Sequence, residues 1–251
     1  MPEKIHLVIP DSHAHPDENN KRFEWLGQLI LDLRPDVLVN IGDQWDMASL
    51  SGHSSKKELE GKRYADDIAI GVDASERILA PLRKAKKKHP RKVFCLGNHE
   101  ERILRLIKQD PKLEGVVSLK DLQLKEYGWE VHDFLTPAIV DGIAYAHYFT
   151  SGVMGRPIGG DKIARSILNK KHMSCTQGHD HTLDYALATR ATGQRIQGLD
   201  CGVFQDFKTG WNNAQSEGLW WSGVVIKRHV VDGTYDPEFV SIGRLKAEYG
   251  T

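Results

Sequence analysis

Short apolar runs alternate along the chain with longer stretches whose apolar residues recur every three or four positions. The runs cover residues 5–9, 36–41, 92–96, 142–146 and 173–177. Rich in β-branched or other apolar residues and closed by polar residues or glycine, they predict strands buried on both faces. Between the first two, Phe23, Leu26, Leu29, Ile30 and Leu33 make one helical stripe that Pro35 closes. A second helical region is expected over 61–88, kinked or divided at Pro81. A third begins near Glu100 with Ile103, Leu104 and Ile107 on one face. A fourth follows Gly159-Gly160, with Asp161 as N-cap and Ile163, Ile167 and Leu168 apolar. After Gln194 the pattern turns to strands, and 221–231 and 239–242 around Asp232-Gly233 read as a hairpin. This alternation predicts an α/β layer fold. No repeat, low-complexity linker or composition break divides it, so a single domain over 1–251 is expected.

Composition narrows the picture by exclusion. Lys plus Arg and Asp plus Glu both number 34 in 251 residues, a formal net charge of zero. That balance excludes a polybasic nucleic-acid binder as a whole-molecule description, and 40% hydrophobic residues argue against disorder. No apolar stretch approaches the ~18 residues of a membrane span, and the first run is too short for a signal segment. Cys95, Cys175 and Cys201 each sit in a short apolar segment and are odd in number. Buried, inert thiols and a reducing cytoplasm are expected.

Each of the five runs delivers metal-type ligands at its carboxyl end. They are Asp11-Ser12-His13, then Gly42-Asp43-Gln44-Trp45-Asp46, Gly97-Asn98-His99-Glu100, His147, and Gly178-His179-Asp180-His181. Sites in open α/β sheets form outside the carboxyl ends of the strands, so these loops are expected to converge. Imidazole and carboxylate donors without thiolate suit divalent first-row metals. In Asp11-Ser12-His13 and His179-Asp180-His181 the paired side chains share one side of an extended segment. Gly42, Gly97 and Gly178 permit sharp turns and close backbone approach.

In order and spacing, "DSH", "GDQWD", "GNHE", a lone His after a strand and "GHDH" resemble the calcineurin-like metallophosphoesterase superfamily. The resemblance spans residues 5–181 and is strongest to compact members found in phages and bacteria. It implies an α/β fold, a metallophosphoesterase-type two-sheet β-sandwich flanked by helices, and a centre of two divalent metal ions. Manganese is the first expectation, with iron, zinc, nickel or cobalt as alternatives. By resemblance Asp11, His13, Asp43 and His181 hold one ion. Asp43 bridges to a second, completed by Asn98, His147 and His179. His99 matches the leaving-group acid and Asp46 the carboxylate that orients it.

The implied activity is phosphate-ester hydrolysis by a hydroxide held between metals ~3.5–4 Å apart. A phosphodiester of nucleotide or nucleic-acid type is the preferred substrate. A phosphomonoester, nucleotide or phosphoprotein, is the alternative. Phosphoprotein activity is disfavoured because "GDQWDMA" lacks the arginine of the "GDxxDRG" carried by Ser/Thr protein phosphatases. The segment after His181 reads as core strands, which weakens a processive nuclease with a cap domain. A non-catalytic scaffold or nucleic-acid-binding module is the remaining rival; no membrane association and no obligate protein partner are inferred.

Several residues carry competing readings. Arg102 resembles the arginine that some family members aim at the phosphate, against a surface ion pair with Glu101. Arg156, in the "GRPIGGDK" loop, is a candidate phosphate contact, and Asn98 and His53 are candidates for the substrate pocket. That loop is a near miss for a P-loop, and triphosphate binding is rejected. Trp45 is read as packing, with stacking on a base as the alternative. Residues 83–92 hold seven Lys or Arg and are read as a solvated helix end rather than a nucleic-acid contact. His6, His132, His172 and His229 are read as structural.

Overall fold

In the computed structural model, which describes residues 3–52, 54–208 and 214–250, alternate residues of the first strand face different layers. That strand, β1 (Lys4–Ile9), sends Leu7 and Ile9 into a core shared with helices and Val8 into a core between two sheets. A strand covered on both faces reads as a near-continuous apolar run, interrupted here by the buried His6. The chain then passes through α1 (Lys21–Leu33), β2 (Val37–Asn40), α2 (Lys56–Leu59), α3 (Tyr64–Lys84) and β3 (Arg91–Cys95). α4 (Glu101–Gln109) leads to β4 (Glu130–His132), β5 (Ala138–Val140), β6 (Ile143–Tyr145) and a small hairpin of β7 (Thr150–Ser151) and β8 (Arg156–Pro157). After α5 (Ile163–Lys171) come β9 (Ser174–Gln177), β10 (Leu183–Thr189) and β11 (Arg195–Cys201). The last elements are α6 (Ala214–Glu217), β12 (Gly223–Val231), β13 (Thr234–Ser241) and α7 (Ile242–Tyr249).

Among the described residues, one sheet runs β13-β12-β1-β2-β3-β4 and the other β10-β11-β9-β6-β5. The strands β1 to β4 pair in parallel, as do β6, β9 and β11. The sheets face each other through Val39, Val93, Val140, Tyr145, Leu199 and Val225. α1 and α3 cover the outer face of the first sheet with Phe23, Leu26, Ile30 and Ile78. α5 covers the second with Ile163 and Ile167. This is the two-sheet sandwich flanked by helices. No helix among the described residues is long and apolar enough to cross a membrane. The three cysteines are free and buried, and burial raises their thiols, Cys95 and Cys175 to about 12.

Between the sheets lies one polar seam. His6, opposite Lys227 in the ladder, has Nδ1 2.8 Å from the Tyr145 hydroxyl and Nε2 3.0 Å from Asp141. Lys227 donates to Thr176 Oγ1, and its Nζ lies 4.5 and 4.3 Å from the Tyr145 and Tyr235 ring centres. Burial, with little opposing it, pushes the Lys227 ammonium down to about 7.

Four expectations need correction. Of the kink or division expected at Pro81, the division is absent, and α3 runs through it as one helix. On α4, Leu104 is 41% exposed, and Leu106 joins Ile103 and Ile107 against the core, as the i, i+3, i+4 spacing requires. Asp161 does not cap α5; Lys162 takes that position, and the Ala164 N–H donates to Asp184 Oδ2 on β10 at 2.8 Å. The final hairpin turns at Asp232-Gly233, both with positive φ. Its second strand starts at Thr234 rather than 239, and residue 242 begins α7 instead of ending a strand.

Candidate metal centre

The loops leaving β1, β2, β3, β6 and β9 bring their imidazoles and carboxylates to one place. Donor atoms of Asp11, His13 and His181 lie within 4.8 Å of one another, and so do those of Asp43, His147 and His179. Asn98 joins the second group, its Oδ1 2.8 Å from His147 Nε2. Close backbone approach makes this possible. A Cβ on Gly97 would stand 2.1 Å from Asp43 Oδ1, and one on Gly178 would stand 2.2 Å from Asp11 Oδ1. The carboxylates are held from behind by backbone. Asp11 Oδ2 accepts the His179 N–H and Asp43 Oδ1 the His99 N–H, each at 2.8 Å.

The donor set fits divalent ions on three observations. Asp11 Oδ1 is buried with no hydrogen-bond partner. His13 Nε2 faces His181 Nε2 at 3.2 Å, and His147 Nε2 faces His179 Nδ1 at 3.3 Å. Two imidazole lone pairs at that distance repel unless a cation, proton or metal, lies between them. The neighbouring carboxylates favour positive charge on these rings. Burial works against a charged His147, but Asp43 and Asp11 outweigh it and raise the ring to about 9. Burial likewise opposes charge on His13, and Asp46 and Asp43 overcome it. Asp43 itself, despite burial, is held well below the usual carboxylate range by His147 and His99. His147 also presents Nδ1 to the Ile41 carbonyl at 3.2 Å, which leaves Nε2 for the centre.

Around this cluster the Asp46 carboxylate stands between two imidazoles, those of His13 and His99. The expected Asp46–His99 carboxylate pair is loose, with Asp46 Oδ1 3.5 Å from His99 Nδ1. The Asp46 backbone carbonyl takes that nitrogen at 2.5 Å, while Oδ1 lies 3.2 Å from His13 Nδ1. Asp46 thus orients a candidate ligand with its carboxylate and His99 with its main chain. Burial first lowers His99 to about 4, so its neutral ring donates from Nδ1 and accepts at Nε2 from Arg102 Nη2 at 3.0 Å. Arg102 forms no ion pair with Glu101 among the described contacts; its Nη1 donates to the Asp46 and Met47 carbonyls at 2.9 and 3.0 Å.

Asn98, His99, Arg102, Arg105, Lys62 and Asp46 line part of a cavity of about 830 Å³. Trp45 is fully buried in the helix-side core, which leaves no face for a base. Arg156 lies exposed on β8 and is not among the residues that line this cavity, and His53 lies outside the described residues. The basic run stands at the amino end of β3, opposite the site, with Arg83 paired to Glu76 and Arg91 to Glu130.

Two contributors escaped the sequence reading. Glu100 is buried and accepts three backbone N–H groups, from Asp43 at 2.9, Gly97 at 2.8 and Trp45 at 3.1 Å. It ties the β2 and β3 loops together; burial, then the Asp43 charge, pushes it up to about 7. Its place at the end of "GNHE" was the available signal. The second is the segment after β11, where the Phe204 N–H donates to the Asp11 carbonyl at 2.7 Å. No spacing marks that segment as part of the site.

No family model matches the sequence, and no curated protein does. Solved structures do resemble it. The phosphoesterase Yfce from E. coli is 15% identical, with 95% of this chain and 99% of that one covered at a TM-score of 0.41. The nuclease MPE from Pseudomonas putida is 14% identical over 93% and 87% of the two chains, at 0.36. A dimetal phosphatase from Danio rerio is 11% identical over 95% and 96%, at 0.47.

Proposed function

We propose that the chain is a calcineurin-like metallophosphoesterase, a single-domain hydrolase of phosphate esters that depends on two divalent metal ions, manganese first among them. Its preferred substrates are phosphodiesters of nucleotide or nucleic-acid type. The observation that carries this reading is the pair of His–carboxylate clusters beside one cavity, with Asp11 Oδ1 buried among them without a hydrogen bond. Asp11, His13 and His181 would hold one ion, and Asn98, His147 and His179 the other. Asp43, whose charge favours the protonated forms of both His13 and His147, would be the carboxylate shared between the two ions. When bound, such a metal pair polarises phosphoryl oxygens and lowers the pKa of a captured water.

The remaining steps belong to side chains. Arg102 faces the cavity and offers a planar fork that suits a phosphate better than the imidazole it now holds. As the phosphate takes Arg102, His99 Nε2 is released beside an anion, which favours its protonated form. His99, oriented by the Asp46 carbonyl, then delivers that proton to the leaving oxygen. Asn98 lines the cavity and is placed to touch the phosphate from the ligand side.

The test compares bis-p-nitrophenyl phosphate with p-nitrophenyl phosphate, using protein stripped of metal and then supplied with manganese. Hydrolysis that requires manganese, stops on chelation and is faster on the diester is expected. Faster turnover of the monoester would move the assignment to a phosphatase, and no turnover of either would refute a hydrolase.

A further inference from the structure

A second recess, about 220 Å³, shares His15, Asp46 and Lys62 with the large cavity and adds Gln205, Phe207 and Lys208. Asp17 and Glu18 also line it, so its charge is mixed and it is not a second phosphate site. Its volume is that of roughly seven waters, room for one ring system. The recess opens on the candidate centre, because His13 and Asp46 stand in its wall.

Gln205 is the feature that packing does not explain. It is 4% exposed, and both its amide oxygen and its amide nitrogen are buried without a hydrogen-bond partner. Its backbone is already secured by Ser222, whose Oγ accepts the Gln205 N–H at 3.0 Å and donates to the Gln205 carbonyl. The side chain therefore adds no bond to the fold, and an unpaired buried amide is a cost to stability. A carboxamide presents a donor beside an acceptor, the pattern that pairs in two bonds with an adenine edge. His15 adds a flat aromatic ring of the kind on which bases stack, and Phe207 a second whose other face the Arg22 guanidinium covers at 5.0 Å.

We propose that this recess is a nucleobase subsite in which Gln205 reads an adenine-type edge of the substrate while the scissile phosphate lies at the centre. The inference rests on the phosphodiesterase reading. It gives that reading a reason to favour diesters: the two lobes meeting at Asp46 hold one substituent each.

The variant is Gln205→Met, which keeps length and removes both polar atoms, with Phe207→Ala as an independent change to the same lobe. The readout is the ratio of kcat/KM on the dinucleotide ApA to kcat/KM on bis-p-nitrophenyl phosphate, with manganese present. Each variant is expected to lower that ratio at least about tenfold. Gln205→Met is also expected to leave Tm of the metal-free protein equal or higher, since no intramolecular bond is lost. An unchanged ratio overturns the subsite, and so does a Tm that falls, which would make the amide structural. A selective loss on phosphopeptides instead of ApA overturns the base assignment in favour of a peptide amide. If wild type with manganese hydrolyses bis-p-nitrophenyl phosphate but the ratio does not respond, only this inference fails. If it hydrolyses neither diester, the phosphodiesterase reading fails and takes the subsite with it.

Discussion

Asp46→Asn separates the role that the motif pattern assigns to this carboxylate from the one the structure gives it. If the carboxylate served His99, its neutralisation would impair proton delivery. In the structure His99 Nδ1 is held by the Asp46 main-chain carbonyl at 2.5 Å, which the substitution leaves in place. What changes is the charge 3.2 Å from His13 Nδ1, on the side of the ring away from His181. A carboxylate behind a ligand histidine fixes the ring and raises its basicity; its loss typically weakens metal affinity about 10–100-fold. That corresponds to about 1.4–2.7 kcal/mol. The assay is a manganese titration of stripped protein, followed by calorimetry and by hydrolysis of bis-p-nitrophenyl phosphate. Asp46→Asn should shift one of two binding steps to higher manganese while saturating metal restores most of kcat. His99→Ala should bind metal as wild type does and lose about 10²–10⁴-fold in kcat at any manganese concentration. Wild-type metal affinity in Asp46→Asn, with a kcat loss like that of His99→Ala, would refute the reasoning.

Two further predictions concern the scaffold. Lys227 is held near 7 when folded against an ordinary value of 10.5, so the folded state binds fewer protons between those limits and stability rises with pH across them. Lys227→Met should remove that slope and gain about 1–4 kcal/mol below pH 7 in urea unfolding, as apolar replacement of buried charge often does; a loss of stability there would show that the lysine supports the sandwich. Glu100→Gln places an amide N–H against backbone donors that now share a carboxylate. Burial and the Asp43 charge raise Glu100 from 4.5 to about 7, so the metal-free protein should lose stability as pH rises through that window; Glu100→Gln should remove the slope, and an unchanged slope in urea unfolding would contradict this reading.

The sandwich was legible because its central strands are buried twice over. Leu7 and Ile9 face helices while Val8 faces the other sheet, and such strands write themselves as nearly continuous apolar runs ending at the site. What was hidden depends on partners far along the chain. The first-turn N–H of Ala164 in α5 is accepted by Asp184 on β10, not by the local Asp161. Leu104 carries the right residue type one position off the buried stripe. Of the candidate ligands, all seven positions meet in two groups, since each directly follows a strand end. The division of labour within Asp46, between carboxylate and carbonyl, is a matter of loop conformation that no motif records. Gln205 follows β11, where only the folded chain brings it against His13 and His15.

The account stands on two ions held by one chain. Metal-stripped protein titrated with manganese should take up two equivalents, releasing protons as His13 and His147 give up theirs, with diester hydrolysis rising in step with the second. Uptake of fewer than two ions at saturation, or hydrolysis that survives exhaustive chelation, would contradict it.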